Sequence, residues 1–311
     1  MTFFTPQALP KTPKPQKHLG QHWLMDTAVI QAIAHAACEP RSPQPPHTWL
    51  EIGPGAGALT EALLAQLPTP QSPLMAVELD RRSVATLQQR WGNEGQSPDE
   101  RLQVIHGDIL RQSPEHLAKQ RPTPIPLGSL SVVGNLPYQI TAPIVLHFLG
   151  DAAQPSPWLP YVAALTLMVQ QEVADRLMAQ PGTKAYSPLS LAVQGLCDIH
   201  PVLMHIGPKA FKPPPKVDSA VIQLIPKATP AWHGVDGVLF QRLVRTAFNQ
   251  RRKTLLNSLG SLIPKATLQN LNAPQGSPPQ WLTLRADALG LEAYLALTQA
   301  LQPWWTTHTK G

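Results

Sequence analysis

Short apolar runs recur along this chain, each closed by a glycine, a proline or a polar residue, and most are followed by a stretch of helical period. Residues 48–52 read as a strand and 59–67 as a helix, then 74–78 as a strand and 82–91 as a helix. Further strands are expected over 102–105, 130–134 and 165–169, with helices over 141–149 and 171–177. Repeating strand–helix units predict an α/β fold, with a mostly parallel sheet covered by helices on both faces. Two late apolar runs, 199–206 and 220–225, have no helical pattern between them and are expected to form an antiparallel hairpin at the sheet edge. After Pro226 the period turns helical and strand signals fade. The expected organisation is a flexible tail over 1–20, an α/β domain over 21–228 and a small all-helical domain over 229–311.

Length and composition narrow the class. The chain has 311 residues, enough for a large core and a smaller one. No apolar run approaches the roughly 20 residues needed to span a bilayer, so no membrane partner is expected. Phe3-Phe4 is followed by Pro6, Pro10, Pro13 and Pro15 with Lys11, Lys14 and Lys17, a basic, proline-broken tail unlike a signal peptide. The 2 cysteines, Cys38 and Cys197, lie in apolar segments, too few for a disulfide framework or a zinc knuckle. They read as buried thiols of a protein kept in a reducing cytoplasm. No long apolar seam is visible, so a monomer is expected. Net charge is +6, which points to a polyanionic partner. The surplus gathers in the tail and in Arg242, Arg245, Arg251, Arg252 and Lys253.

Candidate chemistry clusters at predicted strand ends. Glu51-Ile52-Gly53-Pro54-Gly55-Ala56-Gly57 runs from a strand into a helix, and its glycines allow a sharp turn and close ligand approach. The same spacing satisfies the loose dinucleotide fingerprint, so the glycines alone leave both readings open. Glu78 ends the second strand and is suited to the two hydroxyls of a ribose. Asp108 follows the third, suited to the exocyclic amine of an adenine. Asn135-Leu136-Pro137-Tyr138 ends the fourth. There an amide oxygen and the Leu136 carbonyl can accept two N–H bonds, Pro137 stiffens the loop and Tyr138 offers a stacking face. That combination suits a flat nitrogen heterocycle held by its amine. Carboxylates at Glu51 and Glu78 would repel a pyrophosphate, which favours a nucleoside cofactor over a dinucleotide.

With those residues in view, the chain resembles class I S-adenosylmethionine-dependent methyltransferases, and more narrowly the small-subunit rRNA adenine dimethyltransferase family. The likeness extends over most of the chain. It rests on Gly20-Gln21-His22-Trp23-Leu24, Glu51 to Thr60, Gln170 to Leu177, Pro181 to Tyr186, Phe211 to Ser219, and Phe248-Asn249-Gln250-Arg251-Arg252-Lys253-Thr254-Leu255. His22 and Trp23 stand where that family usually has Asn and Phe.

The resemblance implies S-adenosylmethionine as cofactor, held by His22, Leu24, Glu51, Gly53, Gly55, Gly57, Glu78, Asp108 and Asn135. No metal is implied. It implies catalysis by Asn135, Leu136, Pro137 and Tyr138, with Phe211 covering the other face of the base. It implies 16S rRNA in the small ribosomal subunit as partner, dimethylated at N6 of two adjacent adenosines in its 3′-terminal hairpin, with a role in subunit biogenesis. The five basic residues of 242–253 would then contact RNA phosphates. Two other readings share the fold: an enzyme acting on large-subunit rRNA, and an assembly or transcription factor without catalysis.

Overall fold

The apolar runs become the strands of the computed structural model, which describes residues 15–16, 20–39, 42–43, 45–92, 95–120, 124–271 and 280–309. The basic tail expected over 1–20 lies almost wholly outside the described residues. In chain order the elements begin with β1 (Trp23–Leu24), α1 (Thr27–Cys38), β2 (Thr48–Ile52), α2 (Ala58–Gln66), β3 (Leu74–Glu78), α3 (Arg81–Trp91) and β4 (Leu102–His106). Next come α4 (Pro114–Ala118), β5 (Leu130–Asn135), α5 (Thr141–Leu149), β6 (Val162–Gln170), α6 (Gln171–Leu177), α7 (Pro188–Leu196) and β7 (Cys197–Ile206). Last are β8 (Phe211–Lys212), β9 (Ser219–Pro226), α8 (Gly237–Asn249), α9 (Leu255–Leu259), α10 (Lys265–Gln269) and α11 (Leu291–Thr309).

Seven strands make one sheet in the order β4-β3-β2-β5-β6-β9-β7. Pairing is parallel from β4 across to β6 and antiparallel between β6 and β9. Every residue of β2 and β3 is buried, as the strands of a sheet covered on both faces must be, including Thr48, Glu51 and Glu78. Register brings the strand ends level: Ile52 lies beside Val77 and Gly134, and Glu78 beside His106. The carboxyl ends of β2, β3, β4 and β5 therefore share one edge. The two late strands are neighbours at the far side of the sheet, where the hairpin was expected.

Two helices absent from the sequence expectation carry ordinary signals. α1 begins at Asp26, whose carboxylate accepts from the N–H groups of Ala28 and Val29 at 2.9 and 3.2 Å. It buries Val29, Ile30, Ile33, Ala34 and Ala37, one stripe at helical spacing. α7 begins at Ser187, which exchanges capping bonds with Ser190, with Pro188 in the first turn.

The chain divides into two compact units. One comprises residues 1–144, 160–171 and 200–225 and holds most of the sheet. Its core joins α1 and α2 to Trp49, Leu74, Val133 and Phe211. The other comprises 145–159, 172–199 and 226–311. There Trp232 packs against Gly195, where an added Cβ would sit 2.2 Å from the indole. Tyr186, Phe248 and Tyr294 form an aromatic row in the same unit.

Candidate active site

The turn from β2 into α2 places Gly53, Gly55 and Gly57 at φ of +63°, +57° and +88°. Two of these face different tasks. A Cβ on Gly57 would meet the Trp91 ring at 2.5 Å, so glycine there lets the helix start against α3. A Cβ on Gly53 would meet nothing within 4 Å, because that side of the turn opens on a cleft.

Glu78 ties the turn down from the next strand. One carboxylate oxygen accepts from the Gly55 N–H at 2.9 Å and the other from the Asp80 N–H at 2.7 Å. Burial raises its pKa, and those two backbone bonds oppose the rise. Glu51 lies deeper, 1% exposed, with Thr60 Oγ1 donating to it at 2.7 Å. Burial pushes its carboxyl up to about 8, the Thr60 bond opposes this, and the Glu78 charge adds to it. Asp108 caps the short turn 109–111, accepting from the Leu110 N–H at 3.0 Å.

The Asn135-Leu136-Pro137-Tyr138 turn is held from several sides. The Asn135 Nδ2 donates to the His22 carbonyl at 2.9 Å, an assignment that leaves the Oδ1 as its free acceptor. The Leu136 N–H donates to the Met168 carbonyl at 3.1 Å on β6. Pro137 opens a short turn in which the Ile140 N–H bonds its carbonyl at 3.1 Å. The Tyr138 hydroxyl meets Ser219 Oγ at 2.6 Å. Burial raises its pKa, against the Ser219 bond. The His22 ring stacks on Tyr138, with centroids 5.9 Å apart and planes at 18°. His22 Nδ1 lies 2.8 Å from the Pro213 carbonyl.

Nine of the anticipated residues border one cleft of about 320 Å³: His22, Gly53, Gly55, Glu78, Asp108, Asn135, Leu136, Pro137 and Tyr138. Four do not. Glu51 is buried behind the glycine turn, and Gly57 faces Trp91 of α3. Leu24 and Phe211 pair across the β1–β8 ribbon and are 6% and 4% exposed, within the core. The cleft wall also includes Gln21, named in sequence only as part of the Gly20 to Leu24 segment, and Leu79, Ile109 and Leu110, which sequence reasoning did not single out. Apolar side chains after strand ends carry no signal of their own until the strand ends are known to be level. Pro213 and Ser219 fall within the Phe211 to Ser219 likeness, but their contacts with His22 and Tyr138 went unmarked, because those partners lie 191 and 81 residues away in sequence.

The basic cluster separates into distinct roles. Arg242, Arg245, Arg252 and Lys253 are exposed, and the Arg242 guanidinium lies 5.1 Å over the Trp305 ring. Arg251 is bound within its own unit: Nε donates to Asp287 Oδ2 at 3.0 Å, Nη1 to the Lys184 carbonyl at 2.8 Å and Nη2 to the Thr183 carbonyl at 2.9 Å. Arg251→Ala is expected to lower stability by ~1–3 kcal/mol, because it strands those acceptors. Arg252→Ala should leave it within about 0.5 kcal/mol. Thermal unfolding of the two variants checks this; equal melting temperatures would count against the assignment.

A crevice at the carboxyl edge of a parallel sheet, bordered by a glycine turn, a buried carboxylate and a rigid amide–proline–aromatic turn, is the arrangement of a class I methyltransferase. The family model described as ribosomal RNA adenine dimethylase matches residues 13–276, and the chain belongs to that family. A ribosomal RNA small subunit methyltransferase A from Synechococcus sp. (strain JA-3-3Ab) is 39% identical over 289 residues, covering 93% of this chain and 94% of the relative. Another, from Thiobacillus denitrificans (strain ATCC 25259 / T1), is 39% identical over 287 residues, covering 92% and 98%. Among solved structures, a dimethyladenosine transferase from Plasmodium falciparum superposes with a TM-score of 0.66 at 24% identity, covering 91% of this chain and 98% of that one. The 23S rRNA methyltransferase ErmE gives 0.62 at 25% identity, covering 90% and 99%. The protein is an S-adenosylmethionine-dependent rRNA adenine dimethyltransferase.

Proposed function

We propose that this enzyme converts two adjacent adenosines near the 3′ end of 16S rRNA to N6,N6-dimethyladenosine, within the small ribosomal subunit and as part of its biogenesis. The observation that carries the reading is the Asn135 amide at the cleft wall, whose Nδ2 is bonded to the His22 carbonyl, which leaves Oδ1 as the acceptor. The small-subunit relatives, at 39% identity, support this substrate over the large-subunit one, since ErmE matches at 25%. The enzyme is read as a cytoplasmic monomer; among the described residues no helix is long and apolar enough to cross a membrane.

S-adenosylmethionine supplies a methyl group already activated by the sulfonium to which it is bonded. The residues of the cleft fit that cofactor. Glu78 offers acceptors to a ribose, Asp108 an acceptor to an adenine amine, and Gly53 leaves its side of the turn open. The buried Trp23 Nε1, beside Gly55, has no hydrogen-bond partner among the described residues and suits a ligand that brings an acceptor. Adenine N6 is a weak nucleophile because its lone pair is spread into the ring. Oδ1 of Asn135 and the Leu136 carbonyl bind the amine hydrogens and favour a pyramidal nitrogen, so positioning supplies most of the catalysis. Tyr138, its ring angle set by Ser219, stacks on the base once it is turned out of the RNA, at a cost of a few kcal/mol. Phe211 and Leu24 act from the core, by holding the β1–β8 ribbon that carries His22. The helices from residue 229 onward, with Arg242, Arg245, Arg252 and Lys253, form the RNA-facing part, and Arg251 serves it by bracing the fold.

The test is methyl transfer from labelled S-adenosylmethionine to small subunits lacking this modification, with large-subunit rRNA in parallel. Label confined to dimethyladenosine near the 3′ end of 16S rRNA is the expected result. Label on large-subunit rRNA alone would overturn the substrate assignment. Bound cofactor with no label on either would favour a non-catalytic assembly role.

A further inference from the structure

Beside α8 lies a separate cavity of about 130 Å³, lined by residues of one compact unit. Leu146, Leu189, Phe240 and Val244 give it apolar walls, and Asp151, Gln241 and Arg245 supply its polar side chains. It is smaller than the roughly 300–1,000 Å³ that encloses a whole small molecule, so it takes one ring or one side chain whose remainder stays outside. Its polar groups are held in place. A carboxylate only accepts, so Gln241 donates from Nε2 to Asp151 Oδ2 and keeps Oε1 as an acceptor, with no partner among the described residues. The other Asp151 oxygen accepts from the Ala153 and Gln154 N–H groups at 3.0 and 2.9 Å, which fixes the carboxylate and with it the amide. Arg242 and Arg245 share the exposed face of α8. Arg245 reaches the cavity and has no ion-pair partner among the described residues.

We propose that this cavity takes one unstacked base of the rRNA, outside the cleft where the methyl group is transferred, with an amine of the base on Gln241 Oε1 and the adjoining phosphate on Arg245. The inference rests on the reading that the helical part of the chain faces RNA. An apolar side chain of a protein would match the walls but would leave Gln241 Oε1 covered and unpaired, which is costly. A nucleobase brings a flat face for the apolar walls and amine hydrogens for the amide. Its backbone brings the negative charge that matches the two arginines. A guanidinium can also lie flat on a base, so Arg245 suits both parts of a nucleotide. Asp151, the carboxylate in the lining, has both oxygens committed and serves to orient Gln241. Single-stranded and looped RNA is where bases are free to enter such a cavity.

The test is binding of protein-free 16S rRNA, and of assembled small subunits, to the full chain across a salt series. Ala192, also in the lining, is replaced in Ala192→Met to fill the cavity, and Arg245→Gln removes the charge at its edge. Ala192→Met is expected to weaken binding of protein-free rRNA about tenfold, the order of one lost base contact, with the salt dependence unchanged. Arg245→Gln should lower the slope of log K against log salt by roughly 0.7–0.9, the share of one phosphate, and Arg245→Lys should restore it. Melting curves report whether each variant is folded, and the exposed Arg245 keeps the test open should Ala192→Met not fold. Unchanged affinity in a folded Ala192→Met, or an unchanged slope in Arg245→Gln, would overturn the inference. Weakening seen with assembled subunits but not with protein-free rRNA would assign the cavity to a side chain of a ribosomal protein and overturn it as well. No binding of either RNA form by the unmodified enzyme would instead remove the reading on which it rests.

Discussion

Asn135→Ala is expected to slow methyl transfer by about two to three orders of magnitude, the usual cost of losing one pre-oriented polar contact to a reacting group. The Kd of S-adenosylmethionine should change by about threefold or less, because Glu78, Asp108 and the glycine turn remain. The reason lies in two bonds of opposite sense. Nδ2 is already spent on the His22 carbonyl, so Oδ1 is held as an acceptor before any RNA arrives. Truncation removes both the acceptor and the device that aims it. Asn135→Asp keeps an acceptor while losing the donor to His22, and should retain more activity than Asn135→Ala. Single-turnover rates alongside calorimetry would separate chemistry from binding. Wild-type rates in Asn135→Ala would sink the assignment.

Glu51→Gln should make the enzyme more stable and a poorer binder. Glu51 is buried and its carboxyl is held near 8, against an ordinary value of 4.5. Between those values the folded enzyme keeps a proton that the unfolded chain has released. The native state then binds more protons, so stability falls as pH rises through this window and levels off above about 8. A buried Gln cannot charge, and the variant escapes the loss. Above pH 8 Glu51→Gln should be more stable by an amount on the order of a few kcal/mol, with little difference near pH 5. A bound sulfonium favours the ionised carboxylate behind the turn, so the same change should weaken S-adenosylmethionine binding by roughly tenfold. Melting curves from pH 5 to 9 test the first part. Parallel curves for the two proteins would mean that Glu51 titrates as an ordinary carboxylate.

Glu51 is 1% exposed, and its loss of water outweighs the Thr60 bond that opposes it, so burial dominates its titration.

Much of the fold was legible because it depends on neighbours in sequence. Runs such as 74–77 and 130–134 are almost wholly apolar, and a strand covered on both faces buries every residue of such a run. The turn with Gly53 and Gly55 and the Asn135 to Tyr138 turn each hold their chemistry within a few residues, and these residues line the cleft. α1 and α7 were legible in principle through the Asp26 and Ser187 caps, but their small residues, Ala34, Ala37 and Gly195, dilute the apolar stripe that would mark them.

By itself, the amino-acid sequence determined the alternation of strands and helices, the glycine turn, the acidic strand ends and the amine-binding turn, since each is set by local backbone and side-chain preference. Only the tertiary structure decided which members of that list meet. It levelled four strand ends by register, drew Leu24 and Phe211 into the core, set Glu51 behind the turn and spent Arg251 on Asp287, Thr183 and Lys184. It also brought the Pro213 carbonyl to His22 across 191 residues of chain. Such contacts follow from how layers pack, and no local pattern encodes them.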